Sequence, residues 1–223
     1  DTERYGLELI AKQQVSTEDS LYLQVGGTRQ TAGDTALYWD PAWANPYLRV
    51  EQRQLPFVHV GWNHQWAPGS HTLVLGSFSS DELNVTDPNP PIPFLRQRNG
   101  NVFMVDTGRT VYGLDQHSEF NLGSIELQQI RQSGMHTVIV GGRYQRGEVE
   151  VTGTLSGLLP PPIFAQTETV PMDHISGYGY YKVQPFDWLR LDLGGAYDSM
   201  LAPRNVDLPP FTARTDRRQL VSP

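Results

Sequence analysis

The sequence contains no cysteine. Disulfide frameworks, cysteine-ligated zinc and thiol catalysis are therefore excluded. No run of about 18 apolar residues occurs, which excludes a membrane-spanning helix. It does not exclude a membrane barrel, whose strands alternate and are never strongly hydrophobic as a whole. Basic residues are too few to wrap nucleic acid: the formal net charge is −7, and such binding needs a basic face. Charges are spread along the chain, so no acidic tail or basic arm stands out. Helical periodicity is poor throughout, with no long segment placing apolar residues at i, i+3, i+4 and i+7. Catalytic signatures are missing too: there is no H-E-x-x-H, P-loop, G-x-S-x-G or G-x-G-x-x-G. Gly153-Thr154-Leu155-Ser156-Gly157 only approximates a nucleophile elbow. The reading is accordingly of a non-enzyme with no catalytic, cofactor-binding or metal-ligating residues and no cofactor.

What is present is alternation. The chain is 38% hydrophobic and 10% aromatic, enough to fold rather than stay disordered. Period-two segments punctuated by turn residues dominate. Four segments share an apolar-x-apolar-Gly-small pattern. They are Leu23 to Gly27, Leu73 to Ser77, Val138 to Gly142 and Leu191 to Gly195. Each follows a tight-turn signal: Ser16-Thr17-Glu18-Asp19, Ala67-Pro68-Gly69-Ser70, Gln132-Ser133-Gly134-Met135 and Pro185-Phe186-Asp187. Each turn is preceded by another candidate strand. The expectation is an all-β, antiparallel up-and-down meander of about eight long strands, forming part of a transmembrane β-barrel. Residues 1–223 read as one barrel segment of four hairpins, 5–30, 57–85, 118–151 and 174–199, cut from a longer chain at both ends. The connections between hairpins, about 31–56, 86–117, 156–173 and 202 onward, are long and read as loops. Short turns at one end and long loops at the other are the habit of outer-membrane barrels.

Side chains alternate across a strand. In the last hairpin Leu189, Leu191, Leu193 and Tyr197 oppose Arg190, Asp192, Gly194 and Asp198. In the third, Val138, Val140 and Tyr144 oppose Thr137, Ile139 and Arg143; in the first, Leu21, Leu23 and Val25 oppose Tyr22, Gln24 and Gly26. The second is less clean, because Val74 shares a face with Thr72. Arg143, Arg190, Asp192 and Asp198 are candidate lumen-facing residues. The repeated glycines Gly26, Gly76, Gly141 and Gly194 are expected on the polar face, where a curling sheet needs room. Trp66, Phe186 and Trp188 near the turns, and Phe78, Tyr144 and Tyr197 at the far ends, suggest two interfacial girdles.

Isolated polar residues carry less. His59 and His64 fall on opposite faces of one strand. His71 and His136 occupy equivalent repeat positions and read as interfacial, since metal sites need converging ligands. Glu148 and Glu150 share a face and read as solvated. Tyr38, Trp39, Trp43 and Tyr47 in the first long connection are the candidate binding cluster, because exposed loop aromatics can stack on sugars or anchor a partner. They support an alternative: a soluble β-sandwich module binding carbohydrate or another ligand.

Leu127 to Ile130 with His136 to Tyr144, together with Tyr180 to Pro185, Trp188 to Leu191 and Gln219 to Pro223, resemble the barrel strands of TonB-dependent-receptor-like outer-membrane proteins. The nearest style is the subset with an upstream tetratricopeptide region. That resemblance implies a larger closed barrel in the outer membrane of a Gram-negative bacterium, receptor- or porin-like, for solute uptake or passage. The implied partners are outer-membrane lipid, a small solute, and a TonB-type energy-coupling protein acting through parts not in this stretch. No plug domain or TonB box is visible, and eight strands fall short of the roughly 22 of such transporters.

Overall fold

A computed structural model describes residues 2–33, 45–88, 113–157, 164–204, 206, 211 and 214–222, and the backbone of 91–98 and 101–109. The described residues are all-β. In chain order the strands are β1 (Thr2–Gln14), β2 (Asp19–Gly33), β3 (Arg49–Ala67), β4 (Ser70–Asp87), β5 (Pro91–Arg98), β6 (Asn101–Arg109), β7 (Gly113–Ser133), β8 (His136–Ser156), β9 (Phe164–Phe186), β10 (Leu189–Arg204) and β11 (Arg214–Ser222). Nine of them form one antiparallel meander in the order β1-β2-β3-β4-β7-β8-β9-β10-β11, while β5 and β6 form a separate hairpin.

Local chemistry sets the short turns. Gly69 (φ 78°) and Gly134 (φ 55°) supply the left-handed backbone of the β3–β4 and β7–β8 turns, a conformation other residues resist. At the β1–β2 turn the Ser16 hydroxyl oxygen accepts from the backbone N–H of Glu18 (3.1 Å) and Asp19 (2.9 Å). Its own O–H donates to Asp19 Oδ2 at 2.8 Å. Such side-chain mimicry of backbone bonds closes turns without glycine.

Apart from the nine-residue β11, the strands of the main sheet run from 13 to 23 residues, well beyond the usual globular strand. They reach into stretches that alternation reads as loops, with β3 starting at Arg49, β7 at Gly113 and β9 at Phe164. Two further elements differ from the reading. The 86–117 connection carries the β5–β6 hairpin, and the last strand, β11, pairs with β10 from Ala196↔Ser222 to Arg204↔Arg214. Pro91 and Pro93 conceal β5, because proline marks breaks and edges rather than strand interiors. In β11 the segment Arg214-Thr215-Asp216-Arg217-Arg218 offers no apolar alternation to read.

Cross-strand partners share a face, so the register fixes orientation. One ladder row runs Asp19, His64, Thr72, Gln129, Val140, Gly179, Gly195. It starts at the first residue of β2 and ends six residues beyond Leu189, the first of β10. The strands are thus staggered in one direction, the geometry that tilts strands around a barrel axis.

Candidate functional site

The register sorts the sheet into two faces. One carries Leu7 and Leu9 of β1, Leu21 and Leu23 of β2, Val60 of β3, Ile125 and Leu127 of β7, Val138 and Val140 of β8, and Leu191 and Leu193 of β10. These residues are not in a dry core. Leu191 is 49% exposed, Leu193 66%, Val138 40% and Val140 47%. No described element covers this face.

The apolar band has defined limits. Along β8 the face reads Val138, Val140, Gly142, Tyr144 and then Arg146, Glu148 and Glu150. At the same level Arg29 pairs with Glu51 (2.7 Å) and Arg53 with Glu82 (2.6 Å). Toward the short turns the limit is aromatic and hydrogen-bonded. His64 sits between Trp62 and Trp66, with ring centroids 5.6 and 4.3 Å away. Asp19 Oδ1 accepts from Trp62 Nε1 at 2.9 Å and lies 2.8 Å from His64 Nδ1. Trp66 Nε1 donates to Thr72 Oγ1 at 2.8 Å. Phe186 and Trp188 stack at 5.5 Å beside the last short turn. Indoles with one apolar and one wet end suit such a boundary.

The opposite face is polar, and its side chains bridge neighbouring strands. Arg143, Asp192 and Asp198 lie on it by register, and Arg190, at the irregularity between Leu189 and Leu191, joins them through Asp192. The structure does not gather the four into one site. Arg190 Nε donates to Asp192 Oδ1 at 3.2 Å. Asp198 instead meets His174, whose Nε2 is 2.9 Å from Asp198 Oδ1 and whose Nδ1 is 2.8 Å from Gln145 Oε1. His174 thereby ties β8, β9 and β10 together. Tyr178 spans three strands as well: from β9 its ring crosses β8, its O–H donates to Glu126 Oε1 of β7 (2.7 Å), and Gln128 Nε2 of β7 donates to it (2.8 Å). Elsewhere on this face the Ser77 and Ser124 hydroxyls meet at 2.5 Å, and Gln54 Nε2 donates to Ser79 Oγ at 3.0 Å. Gln24 Nε2 donates to Glu8 Oε1.

Glycines make these crossings possible. Tyr178 pairs directly with Gly141, Tyr180 with Gly194 and Phe57 with Gly26. A Cβ on each glycine would lie 2.5, 2.3 and 2.5 Å from the ring it faces. Each aromatic ring occupies the volume its glycine leaves empty, the pairing known as aromatic rescue. Gly76 departs from the expectation. It pairs with Val60 and Ile125, on the apolar face, and nothing crowds it closer than 3.9 Å. The whole β4 repeat is turned over. Val74, Gly76 and Phe78 take the apolar face, while Leu73 and Leu75 join Gln128 and Glu126 on the other. His71 and His136 consequently fall on opposite faces, paired with Ile130 and Val183 respectively. Apolar residues occur at both phases of β4, so alternation alone could not orient it; pairing with β3 and β7 does.

Of the loop aromatics, Tyr38, Trp39 and Trp43 lie outside the described residues. Tyr47 is exposed, and its N–H donates to Asn45 Oδ1 at 3.2 Å. Asn45 in turn is tied to Asp87 at the end of β4 by a 2.7 Å hydrogen bond. Glu150 and Glu148 lie among the far-end charges of the apolar face, paired with Glu119 and Asn121. Among the described residues no three His, Asp or Glu side chains converge as metal ligands. The geometry builds a long, wettable, hydrogen-bonding wall backed by an uncovered greasy surface.

A single antiparallel sheet of long staggered strands, greasy on one face and hydrogen-bonded on the other, is the wall architecture of an outer-membrane β-barrel. Solved structures share this fold across nearly the whole chain. The ferric citrate transporter FecA, in its unliganded form, matches with a TM-score of 0.66 and 13% identity, over 99% of this chain and 32% of that one. The siderophore receptor PiuA from Acinetobacter baumannii matches at 0.58 and 13%, over 99% and 38%. The RagAB peptide transporter matches at 0.57 and 11%, over 89% and 28%. The chain thus spans about a third of the length of these proteins. In sequence, neither a family model nor a curated protein matches it.

Proposed function

We propose that this chain forms part of the wall of an outer-membrane β-barrel through which a small solute is taken up or passes. The observation that carries the reading is the uncovered band of Leu21, Leu23, Leu127, Val140, Leu191 and Leu193, bounded by charge on one side and indoles on the other. Hydrocarbon is the neighbour that makes such a surface favourable, whereas water would leave this much contiguous apolar area unburied. In this placement residues 1–223 are one barrel segment. Arg143, Arg190, Asp192, Asp198 and His174 face a wet bore and tune which solutes enter it, and the long connections form the external mouth. A TonB-type energy-coupling partner, expected from the family resemblance, would act through the remainder of such a receptor. A soluble sandwich would need a second sheet over Leu191 and Leu193, and their exposure argues against it.

Insertion tests this reading. Mixed from urea into phospholipid vesicles, the protein should acquire strand signal, co-float with the lipid and resist alkaline extraction. A chain that instead stays folded and monomeric in buffer without detergent contradicts the proposal.

A further inference from the structure

We propose that the apolar face carries a built groove for one phosphate-bearing acyl lipid, at the register break between β2 and β3. The inference rests on the membrane reading above. The groove measures about 700 Å³. It exists because Gly26 pairs with Phe57 while Thr28 pairs with Gln54, which leaves Leu55 and Pro56 outside the ladder opposite Gly27. Gly27 supplies room for the displaced chain: a Cβ there would lie 2.4 Å from Leu55 Cδ1. Tyr5, Leu7, Leu9 and Leu55 provide an apolar lining of acyl-chain character.

At the far end of the groove the lining changes to Arg29 and Arg53. These two are directly paired across β2 and β3, and like charges directly opposite one another are destabilising. Each makes one carboxylate contact, Arg29 to Glu51 and Arg53 to Glu82. A guanidinium has five N–H donors, and these side chains are 61% and 53% exposed, so donors remain for a further acceptor. A phosphate straddling the two would relieve their repulsion and accept charge-assisted hydrogen bonds. The groove then receives the chain attached to that phosphate. Apolar trough and paired arginines match the two halves of one ligand, at the level where the greasy band gives way to charge.

Native mass spectrometry of the protein folded in detergent micelles, titrated with dioleoylphosphatidylglycerol, tests the site. One lipid should be retained per chain. Arg29→Gln/Arg53→Gln should weaken retention by about tenfold or more, while Arg29→Lys/Arg53→Lys recovers part of it. Arg131→Gln, on the same face near the short turns, should change nothing. Dioleoylglycerol, with the same chains and no phosphate, should bind no better than phosphatidylglycerol binds the double Gln variant. Glycerol 3-phosphate should not compete. Equal retention by the double Gln variant, equal retention of dioleoylglycerol, or displacement by glycerol 3-phosphate would each overturn the groove. Vesicle insertion measured on the same preparations separates the two readings. Protein that inserts but shows no phosphate preference refutes only the lipid site, whereas protein that does not insert refutes the barrel.

Discussion

Leu193→Arg should destabilise the bilayer-embedded protein by about 2–4 kcal/mol, the cost of a guanidinium on the lipid side near the midplane. Leu193 is 66% exposed and pairs with Tyr181, which in turn pairs with Val138, so no acidic residue lies in its row to receive the charge. Ser176→Arg is the matched control. It lies on the polar face in the row with Arg143 and Asp198, where water solvates the added group, and its effect should stay within about 1 kcal/mol. Urea titration in lipid vesicles, followed by tryptophan fluorescence, measures both. Nearly equal costs would mean that the faces do not meet different solvents.

Gly147→Ala should be the most damaging of the small strand substitutions. A Cβ at Gly147 would lie 2.2 Å from the Asn121 carbonyl oxygen and 3.1 Å from Leu122 Cδ1. The first obstacle is backbone and cannot rotate away, so β7 and β8 must separate locally, with an overpacking cost of about 1–3 kcal/mol. Gly141→Ala meets only the tip of the Tyr178 ring, which can swing aside at the expense of its bonds to Glu126 and Gln128. Gly76→Ala meets nothing closer than 3.9 Å and should be tolerated, helped by the lower entropy of its unfolded chain. The same urea titration should rank the three in that order, Gly147 worst. A Gly147→Ala protein as stable as Gly76→Ala contradicts the close approach.

How far the sequence reveals this architecture depends on the strand. In β8 and β10 the alternation is one-sided, Val138, Val140, Leu191 and Leu193 against Arg143, Asp192 and Asp198, and the face of each residue can be read. In β4 both phases hold leucine or valine, so its orientation comes only from its neighbours. β11 and the β5–β6 hairpin escape for a related reason: charge or proline erases the period that marks a strand. The polar-face clusters were hidden differently. His174 finds Gln145 and Asp198, and Tyr178 finds Glu126 and Gln128, on other strands. Those pairings depend on hairpin register, which no local spacing encodes. The glycine pattern was visible, but its partners were not. Phe57, Tyr178 and Tyr180 become meaningful only once each lies opposite a residue without a side chain.

The absence of native cysteine allows single cysteines to be placed and spin-labelled without background. Labels at 189 through 198 in β10, read by electron paramagnetic resonance in lipid vesicles, should show a period of two in collision rates. Positions 191, 193 and 197 should collide with oxygen dissolved in the bilayer. Positions 190, 192, 194 and 198 should collide with a water-soluble nickel chelate. Protection of the leucine positions from both reagents would place them in a dry protein interior and contradict the account.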